Sequence, residues 1–282
     1  MRRGVAILLL LLASGGAFGS RAWLEQRVEP PAAAEELLYL PNGKHLRVMS
    51  LGHGSLLADW IYIWSLQYYS NYERQDRYRY VEHIFGDVIA ELDPHYIDAY
   101  WMGALIMIIE GRDLEGGLRL LDKGAAANPE SWILPYLAGW ECYRADQVER
   151  SVGYFNQAAE TPGAPVHVRR MQAGVTARSG EPRQALAIWQ QVLADPGSDS
   201  ATRALARRKV ASLQVTVDLE NLDRAIQAFR TRTGRPPREL GELRQSGVLT
   251  ELPADPEGKP YRYDPVTGQV STVAGRVLGS GT

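Results

Sequence analysis

The chain of 282 residues has a single cysteine, Cys142, so no intramolecular disulfide framework is available to it. Cys142 sits in an apolar helical stretch with no nearby His to activate it, and reads as a small buried hydrophobe. Charge of one sign is also missing. Net charge is −2, and the 31 Lys and Arg are spread along the chain, which argues against a nucleic-acid surface. There is no phosphate-cradling glycine loop, no paired cysteines for zinc and no HExxH pattern. No catalytic, cofactor-binding or metal-binding set can be assembled, and a non-enzymatic protein is expected. Phenylalanine is scarce at 4 residues, against 7 Trp and 14 Tyr. Aromatics with a polar handle suit half-buried contacts and interfaces.

A few residues invite chemistry and have plainer readings. His83 and Asp87 are spaced i, i+4 on a helix, which suits a metal or an oriented base, but no third ligand is evident. A hydrogen-bonded pair is the simpler expectation. Asp59 lies among Leu57, Trp60 and Ile61, so its carboxylate is either on the polar flank or buried with a partner such as Arg77 or Arg79 of the following helix.

The first nineteen residues follow export grammar. Arg2 and Arg3 precede an apolar run from Val5 to Ala13, and Ala17 and Gly19 are small residues before a cut after Gly19. The run from Gly4 to Phe18 is shorter than the ~20 residues that span a bilayer. It is either a cleaved signal or an anchor through residues 4–19 with the arginines on the cytoplasmic side. Both place the bulk outside the cytoplasm, periplasmic or held at the inner membrane. Residues 20–51, with Pro30-Pro31 and the turn residues Pro41-Asn42-Gly43, read as an extended linker carrying a strand-like piece from His45 to Met49.

From Leu56 the apolar spacing becomes helical. Prolines that end helical segments then recur at Pro94, Pro129, Pro162 and Pro196. Separations of 35, 33 and 34 residues are the mark of a solenoid. Within each interval small residues sit where two helices must approach: Gly103, Gly117 and Gly124, then Gly139, Ser151 and Ala158, then Ala173, Gly174, Ala177 and Ala185. Bulky Leu121, Phe155 and Trp189 fill the gaps beside them. Each pair leaves an apolar face that a neighbouring pair must cover.

At these positions the chain resembles the tetratricopeptide repeat (TPR) family over residues 52–198, with residues 52–94 as an atypical aromatic first pair. The resemblance implies an all-α antiparallel helix-pair solenoid, a right-handed superhelix whose concave face, built from the first helix of each pair, holds peptides or proteins. Residues 199–234 form a capping stretch, either one helix or two meeting near Asp218. Residues 235–282 differ in kind: Gly234-Arg235-Pro236-Pro237 stops the helix, and Tyr261, Tyr263 and Val270 flank a Pro-Val-Thr-Gly turn. A small α+β module with a β-hairpin and a flexible tail is expected. The run "LPADPEGKPYRY" is similar to the end of type II secretion pseudopilins. That likeness points to an accessory of a secretion, pilus or export assembly, and makes Asp255 and Asp264 possible calcium donors.

The tract from Trp60 to Tyr80 holds more aromatics than a two-helix core needs. Trp60, Trp64, Tyr68, Tyr69 and Tyr72, with the first-helix residues Tyr100, Trp101, Trp132 and Tyr136, form the candidate protein-binding set. The expected function is a scaffold engaging an envelope protein or peptide, without nucleic acid or cofactor. The alternative is a structural subunit of such an assembly.

Overall fold

A computed structural model describes residues 40–72, 77–275 and 277. The stretch expected to be an export signal or anchor, most of the expected linker and the end of the chain lie outside them. Among the described residues no helix is long and apolar enough to cross a membrane. The chain divides into two compact units, residues 1–128 and 129–282.

Unit 1 begins with α1 (Gly43–Met49) and α2 (Gly54–Tyr69). Helix α3 starts as a wide-turn π-helix (Glu82–Ile89) and runs on through Ala90–Leu92. Helix α4 (Ile97–Leu105) continues in the opposite order, ending π-helical at Ile106–Glu110, and α5 spans Leu114–Ala127. The strand-like piece expected at 45–49 is instead helical. Asn42 caps α1 with its Oδ1, which accepts from the Lys44 amide at 3.0 Å, and Gly43 and Leu46 are buried. The turn residues start a helix rather than end an extended segment.

The core of unit 1 mixes aliphatic side chains with a cluster of rings. Tyr69 and Phe85 rings lie 6.0 Å apart and Tyr62 meets Phe85 edge-on at 6.2 Å. Gly103 allows α4 to close on α3, because a Cβ there would stand 2.6 Å from the Phe85 ring.

Unit 2 is regular: α6 (Ile133–Arg144), α7 (Val148–Glu160), α8 (Val166–Arg178), α9 (Pro182–Ala194) and the long α10 (Ser200–Thr233). Within the unit each helix packs on the next, from α6 to α10, and three-residue connections make α6/α7 and α8/α9 antiparallel pairs. The second helices α5, α7 and α9 start at Leu114, Val148 and Pro182, 34 residues apart. The turn inside each pair repeats as closely. Arg112, Asp146 and Gly180, again 34 apart, all have positive φ (55°, 59° and 85°). The stop signals bind each other too: in unit 1 Asn128 Nδ2 donates to Pro94 O at 3.0 Å and to Gly124 O at 2.9 Å. The small residue facing the partner helix is Ala173, fully buried, while Gly174 is exposed.

Helix α10 is continuous through Asp218. Its Asp199 cap accepts from the Thr202 amide at 2.6 Å, and it ends at the left-handed Gly234. Its N-terminal half packs with α8 and α9 through Ala206, Leu213 and Val217. Its C-terminal half shares a second core with α11 (Gly241–Gln245) and the hairpin, through Leu222, Ile226, Phe229, Leu243, Tyr261 and Val270. Asp218 is buried because Tyr261 Oη donates to its Oδ2 at 2.9 Å and Gln214 Nε2 to its Oδ1 at 2.8 Å. Strands β1 (Arg262–Tyr263) and β2 (Val270–Ser271) pair antiparallel, with Tyr263 opposite Val270. The module therefore has no core apart from α10.

Candidate interaction surfaces

The candidate residues separate by burial. Tyr68, Tyr69 and Tyr100 are 9%, 5% and 1% exposed. They are core residues, a correction that follows from helix phase: Ala58, Ile61, Ser65, Tyr68 and Tyr69 form the buried stripe of α2. Burial pushes the Tyr69 hydroxyl far up. It also raises Tyr100 to about 12, with Glu91 and Asp93 adding to the effect.

Because α2 carries large apolar side chains on more than its buried side, some remain outside. Trp60 is 72% exposed, Ile63 58% and Trp64 38%. With Leu40, Leu57, Ile61 and Gln67 they line a groove of about 600 Å³. Gln67 is its only residue without an apolar body. Asp59, beside Trp60, does not pair with Arg77 or Arg79 as expected. Burial, followed by the nearby Asp59 charge, lifts the Tyr96 phenol to about 12.

Arg77 is occupied elsewhere. Its guanidinium donates to Tyr69 O at 3.1 Å and to Glu110 Oε2 at 3.0 Å. It also lies over the Tyr72 ring at 4.2 Å and the Tyr78 ring at 4.7 Å. Tyr78 donates to the same Glu110 oxygen. Tyr72 thus serves as a lid over a cation that ties α2 to the end of α4.

In unit 2 the aromatics form a stripe along α6. Trp132, Tyr136, Trp140 and Tyr143 are spaced i, i+4, i+8 and i+11, one helical face. Trp140 is 38% exposed, and the other three are half-buried. Helix α8 borders them. His167 lies 5.2 Å from the Trp132 ring and 5.5 Å from Tyr136. Arg178 stands 5.0 Å over Tyr143 and is held by Asp146 at 2.6 Å. Trp140 and Tyr143 are stacked at 5.9 Å.

Of the predicted set, the structure joins Trp132 with Tyr136 on α6 and Trp60 with Trp64 on α2. Trp101, on α4, is 40% exposed. The sequence reading passed over Trp140, Tyr143, His167 and Arg178. The signal for the first two was the helical spacing that already contained Trp132 and Tyr136. His167 and Arg178 come from the next pair, and only packing brings them there.

The readings for metal find little support in the geometry. His83 Nδ1 faces Asp87 Oδ2 at 3.3 Å, and its Nε2 meets Leu40 O at 3.1 Å, so the pair anchors the entering chain. Asp255 Oδ1 accepts from the Glu257 and Lys259 amides at 3.0 and 2.7 Å. Asp264 accepts from the Val266 amide and the Thr267 hydroxyl at 2.9 and 2.8 Å, and these bonds hold its carboxyl below the usual range. Both carboxylates stabilise their own turns. Among the described residues no three His, Cys, Asp or Glu side chains converge on a metal position.

No family model matches the chain, and no curated protein matches it. Partial likenesses exist among solved structures. A MamA protein is 12% identical, with TM-score 0.40 over 70% of this chain and 98% of that one. MamA residues 41-end from Desulfovibrio magneticus RS-1 give 14%, 0.36, 48% and 73%. YrrB, described as a TPR protein with an unusual peptide-binding site, gives 20%, 0.35, 51% and 77%. At these TM-scores the likenesses add nothing to what the helices themselves show, which is a helix-pair repeat protein.

Proposed function

We propose that the protein is a non-enzymatic scaffold that takes a protein or peptide partner on the α6 stripe of unit 2. The observation that carries this reading is the half-exposed row Trp132, Tyr136, Trp140 and Tyr143, flanked by His167 and Arg178. A first-of-pair helix that needed aromatics only for its core would bury them. Here Leu134, Ala138 and Cys142 already fill that role at 0%, 1% and 0% exposure. The remaining rings offer large rigid contact area with polar tips, the composition of binding hot spots. Arg178 and His167 favour a segment carrying a carboxylate or a ring.

The envelope setting is part of the proposal. It is supported by the export grammar of residues 1–19, and the pseudopilin-like run in the C-terminal module supports a role as an accessory of a secretion, pilus or export assembly. The test is capture of partners by the full chain in its own cells, against Trp140→Ala and Tyr143→Ala. Each variant is expected to weaken recovery of one or two envelope proteins by roughly tenfold or more, at unchanged thermal stability. Gly153→Ala on α7, with open space around it, leaves recovery unchanged. Equal recovery by all four proteins refutes the stripe, and a cytoplasmic partner refutes the setting.

A further inference from the structure

Helices α1 and α2 show a set of features that a protein-binding groove does not need. Leu51, at the tip between them, is 86% exposed, and Val48 and Met49 at the end of α1 are 77% and 70% exposed. Leu51 also has φ of 51°, a left-handed conformation that is costly for a residue with a Cβ. A large apolar side chain is thus held in water on a strained turn, which is unfavourable on both counts. The exposed face of α2 follows, with Leu56, Trp60, Ile63 and Trp64.

Charge is biased in the same stretch. Residues 40–58 contain Lys44 and Arg47, both exposed, along with His45 and His53, and no Asp or Glu. The chain as a whole carries −2. The carboxylates of the helix packed on Gly43 are already partnered, Asp87 by His83 at 3.3 Å and Glu91 by Lys123 at 3.5 Å. Groove chemistry also favours one occupant. A protein interface uses about one hydrogen bond per 100–200 Å², yet among the described lining residues only Gln67 ends in an amide. Tryptophan flanked by aliphatics and basic residues, with few acceptors to satisfy, suits the boundary between headgroups and acyl chains.

We infer that the α1–α2 edge of unit 1 is a membrane-docking surface: Leu51, Trp60, Ile63 and Trp64 enter the interfacial region of an anionic bilayer, while Lys44 and Arg47 meet its headgroups. This surface lies in the other unit from the α6 stripe, and either can fail without the other.

The probe is a solvent-sensitive nitrobenzoxadiazole dye on Ile63→Cys in the full chain. Cys142 is 0% exposed and is not labelled in the folded protein. Vesicles of phosphatidylcholine containing phosphatidylglycerol are expected to brighten the dye severalfold, while a matched dye on Ala126→Cys, exposed on α5, stays in water. Lys44→Glu with Arg47→Glu is expected to cut the brightened fraction at least about fivefold, the effect of one basic residue at an anionic surface, at unchanged helix content by circular dichroism. An Ile63 dye that stays in water while the chain sediments with the vesicles overturns the inference. So does equal brightening on phosphatidylcholine alone and in the charge-reversed variant. Brightening by a membrane-free envelope protein extract and not by vesicles assigns the face to a protein and overturns it too.

Discussion

Units 1 and 2 solve the same packing problem with different materials. Unit 2 builds its pairs from small residues and single bulky fillers, as where Ser151 Oγ donates to Gly139 O at 2.7 Å beside a fully buried Phe155. Its helices are regular and its turns repeat at 34 residues. Unit 1 adds interlocked rings to its aliphatic side chains and close-packed glycines. Two of its helices are in part wide-turn, and it needs Arg77 and Glu110 to close the connection between its first helices. The difference teaches that a repeat can keep its turn geometry while its faces diverge: Arg112 adopts the turn conformation of Asp146 and Gly180 although it lies in the aromatic unit. Surplus aromatics then remain outside, along α6 in one unit and on α2 in the other.

The largest test of this contrast is truncation after Gly234. Removing residues 235–282 uncovers Leu222, Ile226 and Phe229, which form one core with Leu243, Tyr261 and Val270. Amides in the C-terminal half of α10 are expected to lose their hydrogen-exchange protection, while α6–α9 keep theirs. Full protection throughout α10 would mean that the module is independent of it.

Next in size is Phe155→Ala, expected to cost about 3–5 kcal/mol in urea unfolding because the ring is fully buried between small residues. The helical glycines set the two units against each other. Gly103→Ala drives a Cβ against Phe85 and Leu120 and is expected to destabilise by about 1–3 kcal/mol. Gly174→Ala meets nothing within 4 Å and is expected to stabilise by about 0.5–1 kcal/mol. Equal effects would erase the distinction between tight and open packing.

Acid is expected to act on unit 2 through caps and turns. The Thr202 hydrogen bonds hold Asp199 below its usual range, and Arg235 does the same for Glu242. Depressed carboxylates stabilise the fold above their unfolded pKa and lose that contribution as pH falls through the folded value. Thermal stability is therefore expected to drop at and below the ordinary carboxylate range. Asp199→Asn, which keeps an acceptor, is expected to flatten part of that drop.

Much of this architecture was legible because it rests on local rules. Proline stops, small packing residues and hairpin grammar marked the pairs and the C-terminal turn. The continuity of α10 was harder to read, since Asp218 looks like a break until Tyr261, 43 residues later, supplies its hydrogen bond. Residues 43–49 were misread because the same Pro-Asn-Gly run can end a strand or cap a helix, and only docking of Leu46 decides. The site was half legible. Spacing on α6 was visible, but phase on α2 was not: large apolar residues occur on every side of it and its buried stripe includes Ser65, so Tyr68 and Tyr69 were placed with Trp60 and Trp64. Partners such as His167 and Arg178 arise from the next pair and leave no trace in local sequence.

The most direct measurement is photo-crosslinking in living cells from two positions of the full chain, Trp140 on α6 and Ile63 on α2. The account predicts a discrete protein adduct from position 140 and lipid adducts from position 63. The same protein from both positions, or no protein from position 140, would contradict it.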